Sequence, residues 1–203
     1  MTDLGVASAP IRVAALTGPA LVAALPELAR LRIAVFRDYP YLYDGDPAYE
    51  EAYLAAYEAS RGAIIVGAFA GDQLVGAATG APMEDHAQAF SAPFVARGYD
   101  LRDIFYLGES VLLPQWRGRG IGHAFFDHRE ARARELGRRW SCFCAVVRPD
   151  DHPARPADYR PLDPLWIKRG YAPVPGLIAS FPWKEVDAAG STDKPMQCWM
   201  RAL

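Results

Sequence analysis

Long apolar runs are missing from this sequence. No stretch approaches the ~18–20 consecutive apolar residues that a membrane-spanning helix requires. The N-terminus, MTDLGVASAP, has neither the basic residues nor the apolar core of a secretory signal peptide, and it carries Asp3 instead. We therefore expect a cytoplasmic protein with no membrane among its partners.

A strong net charge of either sign is also missing. The 22 Lys and Arg residues are balanced by 24 Asp and Glu residues, which gives a formal net charge of −2. Non-specific binding to nucleic acids or anionic membranes depends on a large positive charge. The composition gives no reason to expect either partner, although residues 117–139 are locally basic.

Cysteine is scarce and histidine is scattered. The three cysteines, Cys142, Cys144 and Cys198, fit neither a disulfide framework nor the paired ligands of a zinc ribbon. The four histidines do not have metal-ligand spacing either. We expect no metal site, and we expect the cysteines to be buried apolar residues in a reducing compartment.

What the sequence does contain is typical of a folded domain. Of the 203 residues, 51% are hydrophobic and 23% are charged, as in ordinary globular proteins. There is no internal repeat, low-complexity segment or linker. We expect one domain over residues 1–203, in which residues 1–10 form a loose tail.

Strand and helix patterns alternate along the chain. Asp46 followed by Pro47 predicts the start of a helix, because Asp is a favoured N-cap and Pro a favoured first residue. Pro26 should kink its helix or begin a second segment, and Pro93 should break a short helix within residues 83–98. Strands are predicted at 11–16, 63–69, 74–81, 104–113, 140–147, 178–186 and 196–203, and further helices at 20–36, 47–59, after the glycines to 136, and at 162–169. This order predicts an α/β (α+β) fold with a mixed sheet.

The segment 112–126, LLPQWRGRGIGHAFF, joins the end of a strand to the start of a helix. Glycines without Cβ atoms let successive backbone N–H groups converge on one anion. The helix start adds unpaired N–H donors and a partial positive charge. Since Arg117 and Arg119 contribute full positive charges, the segment predicts a phosphate site.

Two common phosphate motifs do not fit this segment. A nucleotide P-loop needs Lys and then Ser or Thr after its second glycine, and neither is present. A Rossmann fingerprint needs glycine where His123 stands and an acid about 20 residues later. A glycine-rich turn without a ligand, and a nucleic-acid contact made by the arginines, stay open as alternatives.

The pattern Arg117-x-x-Gly120-x-Gly122, preceded by a strand and Pro114, resembles the coenzyme A motif of the GNAT superfamily of acyl-CoA-dependent N-acetyltransferases. Gly170-Tyr171 is similar to the Gly-aromatic end of a later motif in that family. The order of elements fits over nearly the whole chain. The resemblance implies a mixed, mostly antiparallel sheet with flanking helices, in which the strands 104–113 and 140–147 splay apart.

The resemblance also implies how acetyl-CoA, or another acyl-CoA, would be bound without a metal. Backbone amides would hold the pyrophosphate, and the end of the strand before them would lie along the pantetheine arm. One N–H near Leu112 would point at the thioester carbonyl. The cofactor-binding residues implied in this way are Leu112, Leu113, Arg117, Gly118, Arg119, Gly120, Ile121 and Gly122.

One position departs from the family. Many members have a tyrosine four residues before the glycine of Gly170-Tyr171, as the acid that protonates the leaving thiolate, and this chain has Trp166 there. An indole N–H donates a hydrogen bond but does not supply a proton. Candidates for another acid are Tyr159, Tyr171 and Cys144, although a thiolate of pKa ~8.5 can also leave without one.

Glu109 is the expected catalytic base. It is the only acid inside the strand 104–113, and carboxylates are rarely buried without a specific role. Gly108 beside it would permit a bulge that re-aims a strand side chain. The alternative is a structural carboxylate that binds nearby N–H groups.

The tyrosine- and aspartate-rich loop at 37–46 lies where the GNAT family builds its acceptor pocket, so the resemblance implies that the loop forms this pocket. Aromatic walls and carboxylates suit a cationic amine. Arg37 could instead bind a substrate carboxylate, and the loop could also be a rigid aromatic plug. The arginines at 129, 132, 134, 138 and 139 are expected to be mostly a solvated helix face. The predicted substrate-binding residues are Arg37, Tyr39, Tyr41, Tyr43 and Asp44.

The function expected from this resemblance is transfer of an acetyl group from acetyl-CoA to a primary amine of a small molecule or amino acid, by direct attack in a ternary complex. The alternatives are a catalytically weak coenzyme A-binding regulatory module and, with less support, a nucleic-acid-binding protein. The sequence leaves the identity of the acceptor open, and also the choice between a monomer and a homodimer.

Overall fold

The computed structural model describes residues 10–86 and 88–203. The predicted tail therefore lies outside the described residues except for Pro10. Within the described residues, one seven-stranded sheet has the order β1-β2-β3-β4-β5-β7-β6. Its strands are β1 (Ile11–Leu16), β2 (Ile64–Ala70), β3 (Gln73–Pro82), β4 (Ile104–Leu112), β5 (Trp140–Val146), β6 (Ala172–Lys184) and β7 (Ser191–Ala202).

The helices pack on both faces of this sheet. They are α1 (Gly18–Phe36), α2 (Pro47–Ala59), α3 (Gln88–Ala96), α4 (Ile121–Glu135) and α5 (Asp163–Lys168). Among the described residues, no helix is both long enough and apolar enough for a bilayer crossing.

The centre of the sheet opens into a gap. All neighbouring strands are antiparallel except β4 and β5, which are parallel and pair only from Ile104↔Trp140 to Tyr106↔Cys142. Beyond Tyr106 the two strands diverge, while β5 continues to pair with β7 up to Val146↔Met196. The predicted splay of the central strands is therefore confirmed.

Alternation along the strands gives the sheet two apolar faces. Ile65 and Ala77 pack in a cluster with Leu28 of α1 and Leu54 of α2. The residues that follow Ile65 and Ala77 along the same strands point to the other face, where they pack in a cluster with Phe125 of α4. Helices α1 and α2 thus cover one face and α4 covers the other.

A β-bulge interrupts β4 beside the gap. Ala78 pairs with Ser110, whereas Gly80 pairs with Leu107, so Gly108 and Glu109 together oppose one residue of β3. Before the bulge, the odd-numbered Leu107 packs on the α4 face. After it, Glu109 points to the α1–α2 face. The predicted bulge at Gly108 is confirmed.

The buried side chain of Arg129 lies under this bulge. Its Nη1 donates to the carbonyl oxygens of Thr79, at 3.1 Å, and Glu109, at 3.0 Å. Its Nη2 donates to Ser110 Oγ at 2.9 Å, and its Nε to Phe125 O at 3.0 Å. The expectation that Arg129 belongs to a solvated helix face is therefore wrong, since only 1% of the residue is exposed.

Prolines had less effect on the elements than predicted. Helix α2 begins at Pro47 as expected, and the Asp46 side chain accepts from Ala48 N at 2.9 Å. However, α1 continues through Pro26, so Pro26 does not begin a second segment, and α3 continues through Pro93, where a break was predicted. Burial of Phe94 in the core packs α3 onto the sheet, and this packing outweighs the one lost helix hydrogen bond.

Gly108→Ala should destabilise the fold, because the added Cβ would overlap the Tyr57 hydroxyl and lie 2.6 Å from Thr79 Oγ1. We expect a loss of about 1–3 kcal/mol in the free energy of unfolding, measured by urea denaturation. Gly190→Ala is the matched control, since a Cβ there meets no atom within 4 Å. Equal stability of the two variants would contradict tight packing at the bulge.

Candidate active site

The glycine-rich loop lies between the end of β4 and the start of α4. Gly118 and Gly120 have φ angles of 75° and 80°, in the left-handed region that favours glycine. The first helical bonds run from the amides of His123 and Ala124 to Gly120 O, at 3.0 and 3.3 Å. The amides of Ile121 and Gly122 therefore lie in the first turn, where N–H groups precede any helical acceptor.

Space beside the loop is open. A Cβ built on Gly118 or Gly120 meets no heavy atom within 4 Å, and one on Gly122 meets only Leu165 Cδ2 at 3.8 Å. The nearby cation of Arg119 lies 4.6 Å from the centre of the Trp116 ring. Backbone amides at a helix start, next to open space, fit a phosphate-bearing ligand such as coenzyme A.

One amide at the end of β4 is directed into the central gap. Leu113 N donates to Val75 O of β3 at 3.0 Å. Because successive N–H groups of a strand point to opposite sides, the N–H of Leu112 points away from β3, toward the gap beside β5. The role of this N–H as an oxyanion donor stays a prediction.

A cavity of about 410 Å³ lies on the opposite face of the sheet from α4. Of the predicted residues, Tyr41, Tyr43, Asp44 and Glu109 line it. Arg37 and Tyr39 are not among the described lining residues. Arg37 lies 3.7 Å from Asp44 Oδ1, and the Tyr39 ring packs edge-on against Tyr159.

Glu109 is 6% exposed, and its two carboxylate oxygens differ in their hydrogen-bond partners. Oε2 accepts from Tyr53 Oη at 2.9 Å and pairs with Arg32 Nη1 at 2.7 Å. Oε1 has no hydrogen-bond partner among the described residues. The side chain therefore has a fixed orientation and retains one oxygen that can accept a hydrogen bond or a proton.

Arg32 and Glu50 complete the site, and neither was predicted from the sequence. The Arg32 guanidinium joins Glu109 to Glu50, whose side chain is fully buried. Burial alone would lower the pKa of Arg32, but the carboxylates of Glu109 and Glu50 hold the pKa well above its usual value. The sequence does contain one sign of this role for Arg32. The residue lies one helical turn after Leu28, so it belongs to the apolar face of α1.

The phenol groups of α2 extend this hydrogen-bond network. Tyr53 gives its proton to Glu109, so Tyr57 is the donor in the Tyr53–Tyr57 contact at 3.0 Å. Burial raises the pKa of Tyr53 well above its ordinary value. Tyr53 therefore stays a neutral donor that fixes Oε2 of Glu109.

The structure does not bring the two tyrosines predicted as acids to Glu109. The Tyr171 hydroxyl is 2.8 Å from Ser141 Oγ and donates to Glu130 Oε1 at 3.2 Å, within the apolar cluster on the α4 face. Tyr159 packs against Tyr39, and neither is among the described residues that line the cavity.

Cys144 and Trp166 have different surroundings. Cys144 lines the cavity, and its hydrogen bond with Cys198, together with burial, raises the pKa of its thiol well above its ordinary value. Trp166 packs on the α4 face, 5.0 Å from the Phe143 ring and 5.1 Å from the Trp199 ring. Trp166 is therefore part of an apolar wall. Among the described residues, no cluster of His, Cys, Asp and Glu is arranged to hold a metal ion.

The chain belongs to the acetyltransferase (GNAT) family, whose sequence model matches residues 28–157. No curated protein sequence matches the chain.

Solved structures share the fold at low sequence identity. The ribosomal-protein-alanine N-acetyltransferase of Brucella melitensis is 15% identical, with a TM-score of 0.60 over 95% of this chain and 99% of its own. The protein yncA of Salmonella typhimurium, solved with its cofactor acetyl-CoA, is 13% identical, with a TM-score of 0.61 over 96% and 94%. A GNAT acetyltransferase of Elizabethkingia anophelis with acetyl-CoA bound is 12% identical, with a TM-score of 0.54 over 95% and 98%.

His86 packs against Tyr106, a residue that lines the cavity, with 4.7 Å between the ring centres. Its Nε2 has no hydrogen-bond partner among the described residues, and burial lowers the pKa of His86 from 6.5 to about 4. Above pH 6.5 the imidazole is neutral in both the folded and the unfolded state. Between pH 6.5 and 4 the unfolded chain takes up a proton that the folded protein does not, so acidification favours unfolding.

We therefore expect His86 to remove up to about 3 kcal/mol of stability as the pH falls from 6.5 to 4. His86→Phe keeps the ring but cannot titrate, so its stability should fall less over the same range. Urea denaturation of both proteins at pH 7, 6, 5 and 4.5 measures the difference. Parallel pH profiles would show that His86 does not contribute to the acid sensitivity.

Proposed function

We propose that this protein transfers an acetyl group from acetyl-CoA to the primary amine of a small molecule, by direct attack within a ternary complex. The observation that carries this proposal is the Glu109 carboxylate. It has one oxygen without a partner among the described residues, and it lines a cavity beside the gap between β4 and β5. The acetyl-CoA found in the neighbouring structures supports the choice of donor. The proposal includes a cytoplasmic location.

The loop at residues 117–122 would hold the pyrophosphate of coenzyme A through its backbone amides. The backbone of Leu112 and Leu113 would lie along the pantetheine arm. Acetyl-CoA supplies an acetyl group that is activated as a thioester. In this arrangement the N–H of Leu112 would donate to the carbonyl oxygen, a contribution worth a few kcal/mol when the donor is preorganised.

Glu109 would act as the base. An alkylamine of pKa ~10.4 is mostly protonated at neutral pH and must lose a proton before it can attack. The ammonium would give this proton to Glu109, and the C–N bond would form as the C–S bond of the thioester breaks. The second proton of the nitrogen goes to the departing thiolate. With a pKa of ~8.5, that thiolate can leave without a dedicated acid, so the proposal gives Tyr159 and Tyr171 no role.

A coenzyme A-binding module without catalysis is the second candidate. Trp166 favours it, because the indole occupies the position of the family's usual acid and packs against Phe143 and Trp199. Such a module would bind acetyl-CoA but release no free thiol with any amine.

If the loop at residues 117–122 binds the pyrophosphate, acetyl-CoA should stabilise the folded protein. At 100 times its Kd, the ligand should stabilise the protein by about 2.7 kcal/mol and raise the Tm by about 5–10 °C. Gly120→Glu places a carboxylate where the phosphates would lie and should abolish the shift. Gly71→Glu makes the same change at another left-handed glycine, in the β2–β3 turn, and should keep the shift.

If a folded Gly120→Glu variant keeps the full Tm shift, acetyl-CoA binds elsewhere on the protein. Scanning calorimetry with and without acetyl-CoA measures each case. Because both glycines have positive φ, the loss of intrinsic stability should be similar in the two variants, and only the ligand effect should differ.

Glu109→Gln should lower kcat by about 10²-fold or more, because the amide keeps the shape of the side chain but does not take a proton. The shift produced by acetyl-CoA should be unchanged. Glu50→Gln is the matched control, since it removes the other carboxylate bound to Arg32 from a position that does not line the cavity. Equal rate losses in the two variants, measured as free-thiol release, would assign Glu109 a structural role.

A further inference from the structure

Aromatic rings form two walls of the cavity beside Glu109. The first wall comes from α1, the loop after it and β6, and the second comes from α3, β4 and β6. Each wall is continuous, because neighbouring ring centres lie 4.6 to 5.9 Å apart, within the usual range of aromatic contacts. The first wall consists of Phe36, Tyr41 and Trp183, and the second wall of Phe90, Tyr106 and Phe181.

The charged groups of the cavity favour a cation. Asp44, Asp46 and Glu109 line it together with Arg32 and Lys184, which gives a formal charge of −1. Both cations are already paired with carboxylates. Arg32 contacts Glu109 and Glu50, and Lys184 Nζ lies 2.8 Å from Asp44 Oδ2. A ligand carboxylate would have to compete for a paired cation, whereas an ammonium group can bind Glu109 directly.

We propose that the acceptor is an arylalkylamine, in which a short carbon chain joins a primary amine to a flat aromatic group and no carboxylate lies next to the amine. This inference rests on the proposed function and narrows its substrate class. The amine binds Glu109 beside the gap between β4 and β5. The aromatic group packs between the first wall and the second wall.

The geometry of α-amino acids explains why they are disfavoured as acceptors. When the amine of an α-amino acid contacts Glu109, its own carboxylate is held within about 5 Å of the Glu109 charge, which is almost fully buried, and like charges repel strongly there. The same carboxylate also loses water without gaining a free cation in return. The repulsion acts on the neighbouring charge and not on the ring, so compounds that differ only in the carboxylate test it.

The first experiment compares 2-phenylethylamine, L-phenylalaninamide and L-phenylalanine as acceptors, with saturating acetyl-CoA and free-thiol release as the readout. The three share one ring and one amine, and the amide separates the size of the added group from its charge. We expect kcat/KM for 2-phenylethylamine to exceed that for phenylalanine by at least about 30-fold. Phenylalaninamide should lie closer to the amine, and an equal or higher value for phenylalanine would overturn the inference.

The second experiment tests the rings with 2-phenylethylamine and n-hexylamine. Replacing Phe90 or Phe181 by Leu keeps apolar volume and removes a ring. The ratio of kcat/KM for the aryl amine to that for the alkyl amine should fall by about 3- to 10-fold. Phe69→Leu makes the same change outside the cavity and should leave the ratio unchanged. Each variant is its own control for folding, because both amines report on the same protein.

Calorimetry separates this inference from the proposed function. Binding of 2-phenylethylamine, phenylalanine and cadaverine is measured on the full chain with saturating coenzyme A, which carries no acetyl group. Tightest binding of 2-phenylethylamine supports the inference even if no thiol is released, and that result would overturn only the proposed transfer. Tightest binding of phenylalanine or cadaverine overturns the inference and leaves the transfer reaction to be judged by turnover.

Discussion

The contact between Arg129 and the bulge of β4 is the interaction on which the rest of the site depends. One extra residue in β4 takes the carbonyls of Thr79 and Glu109 out of the regular ladder, and a buried carbonyl without a donor costs about 1–3 kcal/mol. The Arg129 guanidinium supplies those donors. Burial lowers the pKa of Arg129 to about 10, so it remains charged at neutral pH. Without this support, regular alternation would turn Glu109 toward α4 and away from the cavity.

A second buried guanidinium sets the charge of the cavity. Arg32 lies between the carboxylates of Glu50 and Glu109, so three ionised groups leave one negative charge in an almost fully buried cluster. Its guanidinium also lies 4.2 Å from the centre of the Tyr53 ring. Removing one member of such a cluster is costly, because the remaining charges are left buried without compensation. The groups that set the charge of the cavity therefore also support the packing of α1 and α2 against β4.

Local patterns in the sequence predicted most of the elements but few of their exceptions. The cap at Asp46, the bulge at Gly108 and the splay of β4 from β5 were correct, since each depends on nearby residue types or on the family resemblance. Strand β6 begins at Ala172 and not near Ile178, because a register shift accommodates its early prolines. Arg32, Glu50 and Arg129 were missed because a charge inside an apolar face is stabilised by partners distant in sequence, which periodicity does not reveal.

The glycine-rich loop and the aromatic walls lie on different faces of the sheet, so a descendant of this protein could change the walls and keep the loop. The glycine-rich loop and α4 lie on one side, whereas the aromatic walls come mostly from α1, its following loop, α3 and β6. Substitutions of Phe90, Phe181 or Trp183 therefore alter the cavity beside Glu109 without touching the loop at residues 117–122. Selection could therefore reshape the cavity in small steps while the glycine-rich loop is inherited intact, as expected when varied functions occupy one fold.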